Sequence, residues 1–209
     1  RTVRLAKEHG VALGVHPGYR DLVGFGRRNL EATPEEIRDE VIYQLGALRE
    51  FARYYGLPLQ HVKLHGALYM RAARDEGLSH VIIEAIRKVD PGLIVFCMRA
   101  SATYEVAVSC GLPVAAEFYA DREYNEDGTI VFTRAVGALD PDAVAAKVLR
   151  AVKERKVGTV SGSDITIEFD TVCIHSDTPG AVELAKAIHK KLSDNGIEIC
   201  PVGQIMQMR

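Results

Sequence analysis

Val11-Ala12-Leu13-Gly14-Val15-His16-Pro17-Gly18 is a short apolar run that ends in a histidine and a turn, and the same arrangement returns twice further along the chain. Val62-Lys63-Leu64-His65 is followed by Gly66, and Val172-Cys173-Ile174-His175 by Ser176-Asp177. A fourth run, Val114-Ala115-Ala116-Glu117, ends in a carboxylate and continues to Asp121-Arg122. Runs that are continuous in Val, Ile and Leu, rather than alternating with polar residues, mark strands covered on both faces, as in a parallel sheet. Polar groups at the ends of several parallel strands meet in one place when the sheet closes on itself. The pattern therefore predicts an α/β fold with a β/α barrel of seven or eight strands in preference to an open sheet.

Working outward, strand signals lie at residues 11–16, 59–65, 93–97, 113–118, 171–175 and 197–200. Helical patterns fill most of the gaps. Thr33-Pro34-Glu35-Glu36 reads as a capping box with proline at the first helical position, followed by the stripe Ile37, Val41, Leu45, Leu48 and Ala52. Asp140-Pro141 and Thr178-Pro179 repeat the start signal, and Asn195-Gly196 supplies a left-handed stop. Residues 124–134, with Glu126-Asp127-Gly128, and 157–169, with Ser161-Gly162-Ser163, read as hairpins. Six strands do not close a seven-stranded barrel, and residues 1–10 look like the end of a crossover helix with its glycine stop. The expectation is a single β/α-barrel domain over residues 1–209 whose N-terminal strand region is missing from the sequence.

Composition narrows the function classes. The 209 residues are 47% hydrophobic and 26% charged, which suits a globular core and excludes disorder. No apolar run approaches the length of a membrane-spanning helix. With 26 basic and 28 acidic side chains the formal charge is -2, so no positive field attracts a nucleic acid. Four cysteines without a C-x-x-C pair read as reduced thiols, and no export signal opens the chain, so a cytoplasmic location is expected.

His16, His65 and His175 form the centre of the candidate chemistry, since imidazole serves as acid, base or metal ligand near neutral pH. Three histidines at equivalent strand ends weigh more than one, although each alone can be structural. Glu117, Asp121 and Asp177 add carboxylates on the same expected rim. The plain alternative is a set of caps and salt bridges: Asp121 and Arg122 can pair with each other, and Ser176, Asp177 or Thr178 can cap a helix starting at Pro179. His9, His61, His80 and His189 read as solvated surface residues. In Gly24-Phe25-Gly26-Arg27-Arg28 two glycines allow close approach of backbone amides, and Arg27 and Arg28 can clamp a phosphate or carboxylate; a glycine-rich lid is the alternative. Neither a Walker A loop nor G-x-G-x-x-G occurs. The histidine spacing matches no local zinc motif, so a metal is left open.

His16-Pro17-Gly18-Tyr19, Gly24-Phe25-Gly26-Arg27-Arg28, Val62-Lys63-Leu64-His65-Gly66-Ala67-Leu68-Tyr69, Glu117-Phe118-Tyr119-Ala120-Asp121-Arg122 and His175-Ser176-Asp177-Thr178-Pro179 together resemble the LamB/YcsF family, the A subunits of prokaryotic 5-oxoprolinase. The five motifs occur in family order across nearly the whole chain. The resemblance implies a seven-stranded β/α barrel of the glycoside hydrolase/deacetylase type. It implies ATP-dependent opening of 5-oxoproline to L-glutamate, with Mg accompanying ATP, together with partner subunits B and C. Members begin some tens of residues earlier, with a strand rich in Asp and Asn, in agreement with the missing strand. The sequence departs from the family pattern at Val15, Leu64, Met70 and Ser176, two of which flank His65. The catalytic set expected is His16, His65, Glu117, His175 and Asp177, with Lys63, Arg27, Arg28, Asp121 and Arg122 on substrate or phosphate. Two other readings stand beside this one: a metal-dependent amidase or deacetylase using His16, His65 and a carboxylate without ATP, and a non-catalytic barrel that binds substrate or partners. A homo-oligomer is compatible with each.

Overall fold

The helix stop expected at Gly10 is present. In the computed structural model, which describes residues 1–208, α1 (Thr2–Glu8) ends at His9 and Gly10 takes the left-handed conformation at φ +63°. The chain then alternates strand and helix, as the apolar runs and caps predict. It falls into two units, one made of Arg1–Cys97 and Ser101–Ala115, the other of Met98–Ala100 and everything from Ala116 onward.

In the first unit β1 (Leu13–Val15) leads through a long loop to α2 (Pro34–Tyr54). Thr33 opens α2 as its sequence requires: its hydroxyl accepts from the Glu36 amide at 3.2 Å and the Glu36 carboxylate accepts from the Thr33 amide at 2.8 Å. Ile37, Val41, Leu45 and Ala52 are buried along one stripe. Ala52 packs with Val3 and Leu13, which ties α2 to the first strand and to α1. There follow β2 (Leu59–Val62), α3 (Gly66–Ala72), α4 (Glu76–Val89), β3 (Ile94–Cys97), α5 (Ala102–Ser109) and the first residues of β4 (Val114–Tyr119). The pairing is parallel throughout, with Leu13 opposite Leu59, Val15 opposite Val62 and Val62 opposite Val95. The helices between these strands bury Leu78, Ile82, Ile83 and Ile86 of α4, which explains the nearly unbroken apolar character of the strand runs.

In the second unit the rest of β4 pairs in parallel with β7 (Thr171–Cys173), Glu117 opposite Thr171 and Tyr119 opposite Cys173. Between them lie α6 (Pro141–Glu154), capped by Asp140, and the hairpin of β5 (Lys156–Gly158) and β6 (Asp164–Thr166), antiparallel as read from Ser161-Gly162-Ser163. The other expected hairpin is narrower, a single bridge between Tyr124 and Ile130. The helices α7 (Ala181–Asp194) and α8 (Val202–Gln207) close the chain.

Three local expectations change. Residues 197–200 form no strand. The Ile197 amide donates to Leu192 O and the Gly196 amide to Ser193 O, both at 3.0 Å, with Gly196 left-handed, so the run completes the helix stop and leaves Ile199 exposed. The last long helix starts at Ala181 behind a left-handed Gly180, not at Pro179, and no side chain caps it. Glu117 does not end its strand: β4 continues to Tyr119, every residue of it is buried, and Glu117 is 4% exposed.

Candidate functional site

The first unit builds a cluster around His16 and His65. His16 directly follows β1, and His65 precedes the first turn of α3, just past β2, so parallel pairing of the two strands sets the rings side by side. His16 Nδ1 lies 2.7 Å from Lys63 O, His16 Nε2 lies 2.9 Å from His65 Nδ1, and His65 Nε2 lies 2.6 Å from Phe25 O. A carbonyl oxygen only accepts, so His16 Nδ1 and His65 Nε2 both carry protons. With its Nδ1 protonated, His16 in the neutral form has only a lone pair at Nε2 and accepts from His65 Nδ1. All three contacts are satisfied together when the pair carries three protons, one on His16 Nδ1, one on His65 Nε2 and one shared between His16 Nε2 and His65 Nδ1.

The loop that supplies Phe25 is clipped by Asp21. Asp21 Oδ1 accepts from the Gly24 amide at 2.9 Å, and Arg28 Nε lies 2.9 Å from Oδ2 and 3.1 Å from Oδ1. Arg28 beside it, helped by the Gly24 amide, brings the Asp21 pKa down to about 2 against the opposing effect of burial. Arg28 is thus placed on Asp21, while Arg27 is buried with its guanidinium carbon 5.5 Å from the Phe25 ring centre. The amides of Gly24, Gly26 and Arg27 donate to Asp21 Oδ1, Asp21 O and Gly24 O, so these three turn inward instead of forming a phosphate cradle. Two left-handed glycines allow the closure: a Cβ on Gly26 would stand 2.8 Å from His65 Cδ2, and one on Gly66 would stand 2.5 Å from Gly26 O. Lys63 enters the cluster through its carbonyl on His16. His61, read as a surface residue, instead stacks on Phe96 at 4.2 Å in β2, and burial followed by the nearby Lys63 charge pushes its pKa down to about 4.

The second unit builds a cluster around Asp121. Asp121 lies just past β4 and His175 just past β7, so this strand pair repeats what β1 and β2 do for the histidine pair. Asp121 Oδ1 and Oδ2 accept from His175 Nδ1 at 3.0 and 3.2 Å, and Oδ2 also accepts from the His175 amide at 3.0 Å and from Thr178 Oγ1 at 2.7 Å. Arg122 Nη1 completes the set at 3.1 Å from Oδ2. Burial alone would raise the Asp121 pKa; the hydrogen bonds of His175 and Thr178 and the His175 charge outweigh it and hold the carboxyl well below the ordinary range. With Nδ1–H on Asp121, the neutral His175 ring presents a lone pair at Nε2, which has no hydrogen-bond partner among the described residues. That is the arrangement of a base whose tautomer is fixed by a carboxylate. Glu117 accepts from Tyr119 Oη at 2.9 Å, and the Tyr119 ring stacks near His175 at 5.9 Å. Asp177 is exposed on the turn that follows His175.

The predicted residues thus fall into two groups, His16, His65, Lys63, Arg27 and Arg28 in one unit, and Glu117, Asp121, Arg122, His175 and Asp177 in the other. Several participants escaped the sequence reading. Thr178 holds Asp121 instead of capping a helix. Asp21 carried a signal, an acidic residue three before a glycine. Lys147 carried another, a charge on the apolar stripe of α6 between Val144 and Val148. Its ammonium donates to Tyr119 O at 3.2 Å, Ala120 O at 3.3 Å and Arg122 O, and lies over the rings of Phe118 and Tyr124 at 5.5 and 5.3 Å. Burial pushes its pKa down to about 8, against the pull of Asp121 and Glu123. Among the described residues no group of three or more His, Cys, Asp or Glu is gathered as a metal site, and no helix is long and apolar enough to cross a membrane.

Comparison with known proteins gives a consistent result. A model of the LamB/YcsF family matches residues 1–207. The chain is 57% identical over 199 residues to a 5-oxoprolinase A subunit of Pseudomonas aeruginosa, covering 95% of this chain and 79% of that relative. It is 46% identical over 209 residues to the 5-oxoprolinase A subunit of Thermococcus onnurineus, covering 99% of this chain and 82% of the relative. Among solved structures, the lactam utilization protein from Thermus thermophilus superposes with a TM-score of 0.86 at 42% identity, over 94% of this chain and 79% of that one.

Proposed function

The chain belongs to the LamB/YcsF family, and from that premise we propose that it is the A subunit of a multi-subunit 5-oxoprolinase, which opens the lactam of 5-oxoproline to L-glutamate at the expense of ATP. The observation that carries this reading is the 57% identity, over 95% of the chain, to a relative named as a 5-oxoprolinase A subunit. Subunits B and C complete the enzyme in this reading, Mg accompanies ATP as a co-substrate of the whole complex, and the location is the cytoplasm. In this reading the barrel has seven strands.

Ring opening breaks the lactam C–N bond, adds hydroxide from water to the carbonyl carbon and places a proton on the departing nitrogen. An unstrained lactam resists water, and transfer of a phosphoryl group from ATP to its carbonyl oxygen makes that carbon electrophilic; addition of one water and loss of the ring nitrogen then leave an acyl phosphate, which a second water cleaves to phosphate and the glutamate carboxylate. Each cluster, taken within its own unit, holds groups suited to proton transfer. His175, with Nδ1 held by Asp121 and a lone pair on Nε2, takes a proton from the attacking water, and Asp121 acts as its positioning residue. In the first unit, the His16–His65 pair shares a proton along its Nε2–Nδ1 contact and offers an acid or base of its own. Within the second unit Glu117 and Asp177 tune the charge beside His175, and within the first unit Lys63, Arg27 and Arg28 hold a phosphate or carboxylate.

The test is reconstitution. The full-length protein with its B and C partners should release glutamate from 5-oxoproline with matching ADP formation, and leaving this protein out should abolish both. Glutamate release that persists without it, or none from the complete set, would overturn the reading.

A further inference from the structure

Arg122 is 7% exposed, yet only one end of its guanidinium is used. Nη1 contacts Asp121 O at 2.8 Å, Asp121 Oδ2 at 3.1 Å and Thr178 Oγ1 at 3.3 Å. No acceptor lies on Nε or Nη2 among the described residues, and neither atom is sealed from solvent. A nearly buried guanidinium edge that no protein group meets takes its acceptor from solvent or from a ligand, because an unsatisfied charged donor is costly. That edge belongs to a residue lining a cavity of about 400 Å³ between the end of β4 and the first turn of α6. The walls are largely apolar, built from Val131, Val136, Leu139 and Val144, and Thr133 adds the one buried side-chain polar atom without a hydrogen-bond partner among the described residues, its Oγ1.

The charges around the cavity select the ligand. Arg122 and Lys147 are the cations, and Asp121, Glu123 and Asp140 are the carboxylates. Lys147 is occupied by three backbone carbonyls, Asp140 accepts from the Asp142 amide, and Asp121 is held by His175, Thr178 and Arg122. Glu123 also lines the cavity, so three carboxylates stand against two cations, which excludes a polyphosphate and leaves the open edge of Arg122 as the one place for a negative group. A single negative charge on a small apolar body fits, and the planar guanidinium edge matches a carboxylate. We propose that this cavity binds a small cyclic monocarboxylate through Arg122, and, resting on the function proposed above, that it holds the carboxylate of 5-oxoproline. Arg122 and His175 share the Asp121 carboxylate, so a substrate anchored on the first lies close to the base.

Three ligands test this in titrations of the full-length protein followed by ligand-observed NMR: 5-oxoproline, cyclopentanecarboxylate and the neutral lactam 2-pyrrolidinone. Both carboxylates should bind more tightly than 2-pyrrolidinone. Arg122→Gln should weaken the carboxylates about ten- to a hundredfold, the loss of a charge-assisted pair, and leave 2-pyrrolidinone unchanged. Ala143→Phe, on an exposed position of α6 that lines the cavity, should weaken all three and decides the matter if Arg122→Gln fails to fold. Wild-type protein that binds neither carboxylate, or carboxylate affinity unchanged in the folded variants, would overturn the pocket. The reconstituted enzyme separates the two claims. Carboxylate binding at Arg122 without lactam opening overturns the function and leaves the pocket; lactam opening with an unchanged KM for 5-oxoproline in Arg122→Gln does the reverse.

Discussion

Asp121→Asn should be among the most destabilising conservative changes in the chain. The side chain has no exposed surface, accepts from Thr178 Oγ1, the His175 amide and His175 Nδ1, and pairs with Arg122. Asparagine keeps the shape but has a single acceptor oxygen, so its NH2 group must face at least one of these donors, and Arg122 loses its counter-charge. Removing one partner of a buried ion pair costs about 3–5 kcal/mol. For a chain of this size each kcal/mol lowers Tm by about 2–4 °C, which gives a drop of about 6–20 °C. Thermal and urea unfolding at pH 7 measure it. The folded pKa of Asp121 is depressed, so its contribution is complete above the unfolded value of about 3.9 and disappears as pH falls further toward the folded value. The difference between wild type and variant should therefore stay level, to within about one kcal/mol, from about pH 5 to 8 and shrink below about pH 4. A loss no larger than the roughly 0.5 kcal/mol of a surface substitution, or a difference that widens on acidification, would refute the reasoning.

Lys147→Met should flatten part of the pH profile: between about pH 8 and 10.5 the unfolded lysine keeps a proton that the folded one has lost, so wild-type stability should rise relative to the variant across that window, and parallel profiles would contradict it. Gly66→Ala should cost at least about 1–2 kcal/mol from the left-handed backbone alone. Its Cβ would also meet Gly26 O, so urea unfolding should show the loss and hydrogen exchange at the Ala67 amide, which donates to Gly26 O at 2.9 Å, should accelerate. Nitrogen NMR of the histidine rings at neutral pH should show protons on His16 Nδ1 and His65 Nε2, whereas a lone pair on either of these atoms would break the hydrogen-bond pattern inferred for this pair.

Backbone organisation was largely legible because its signals are local. The Thr33 box, the Asn195-Gly196 stop and five of six apolar runs depend on neighbours within a few residues, and each appears where the sequence puts it. Residues 197–200 misled because an apolar residue after a left-handed glycine serves a helix end as well as a strand start. Glu117 misled because apolar Phe118 and aromatic Tyr119 continue the strand beyond the carboxylate. The histidines at strand ends were visible, but their partners were not. Asp121 and His175 meet through strands 54 positions apart in sequence, and nothing local distinguishes that contact from the pairing of Asp121 with adjacent Arg122. Likewise Arg28 looks available for an anion until the fold of the loop places Asp21 against it.

The most direct test of a catalytic role for this protein is single-turnover glutamate formation by the reconstituted complex carrying His65→Asn or His175→Asn, with complex formation and melting temperature checked in parallel. Loss of a positioned acid or base lowers the rate about 10²–10⁴-fold, and each variant should fall in that range while assembling normally. Rates within a factor of about two of wild type in both variants would contradict a catalytic role for the two histidines and leave the chain as a component that binds substrate or partners while the chemistry happens elsewhere.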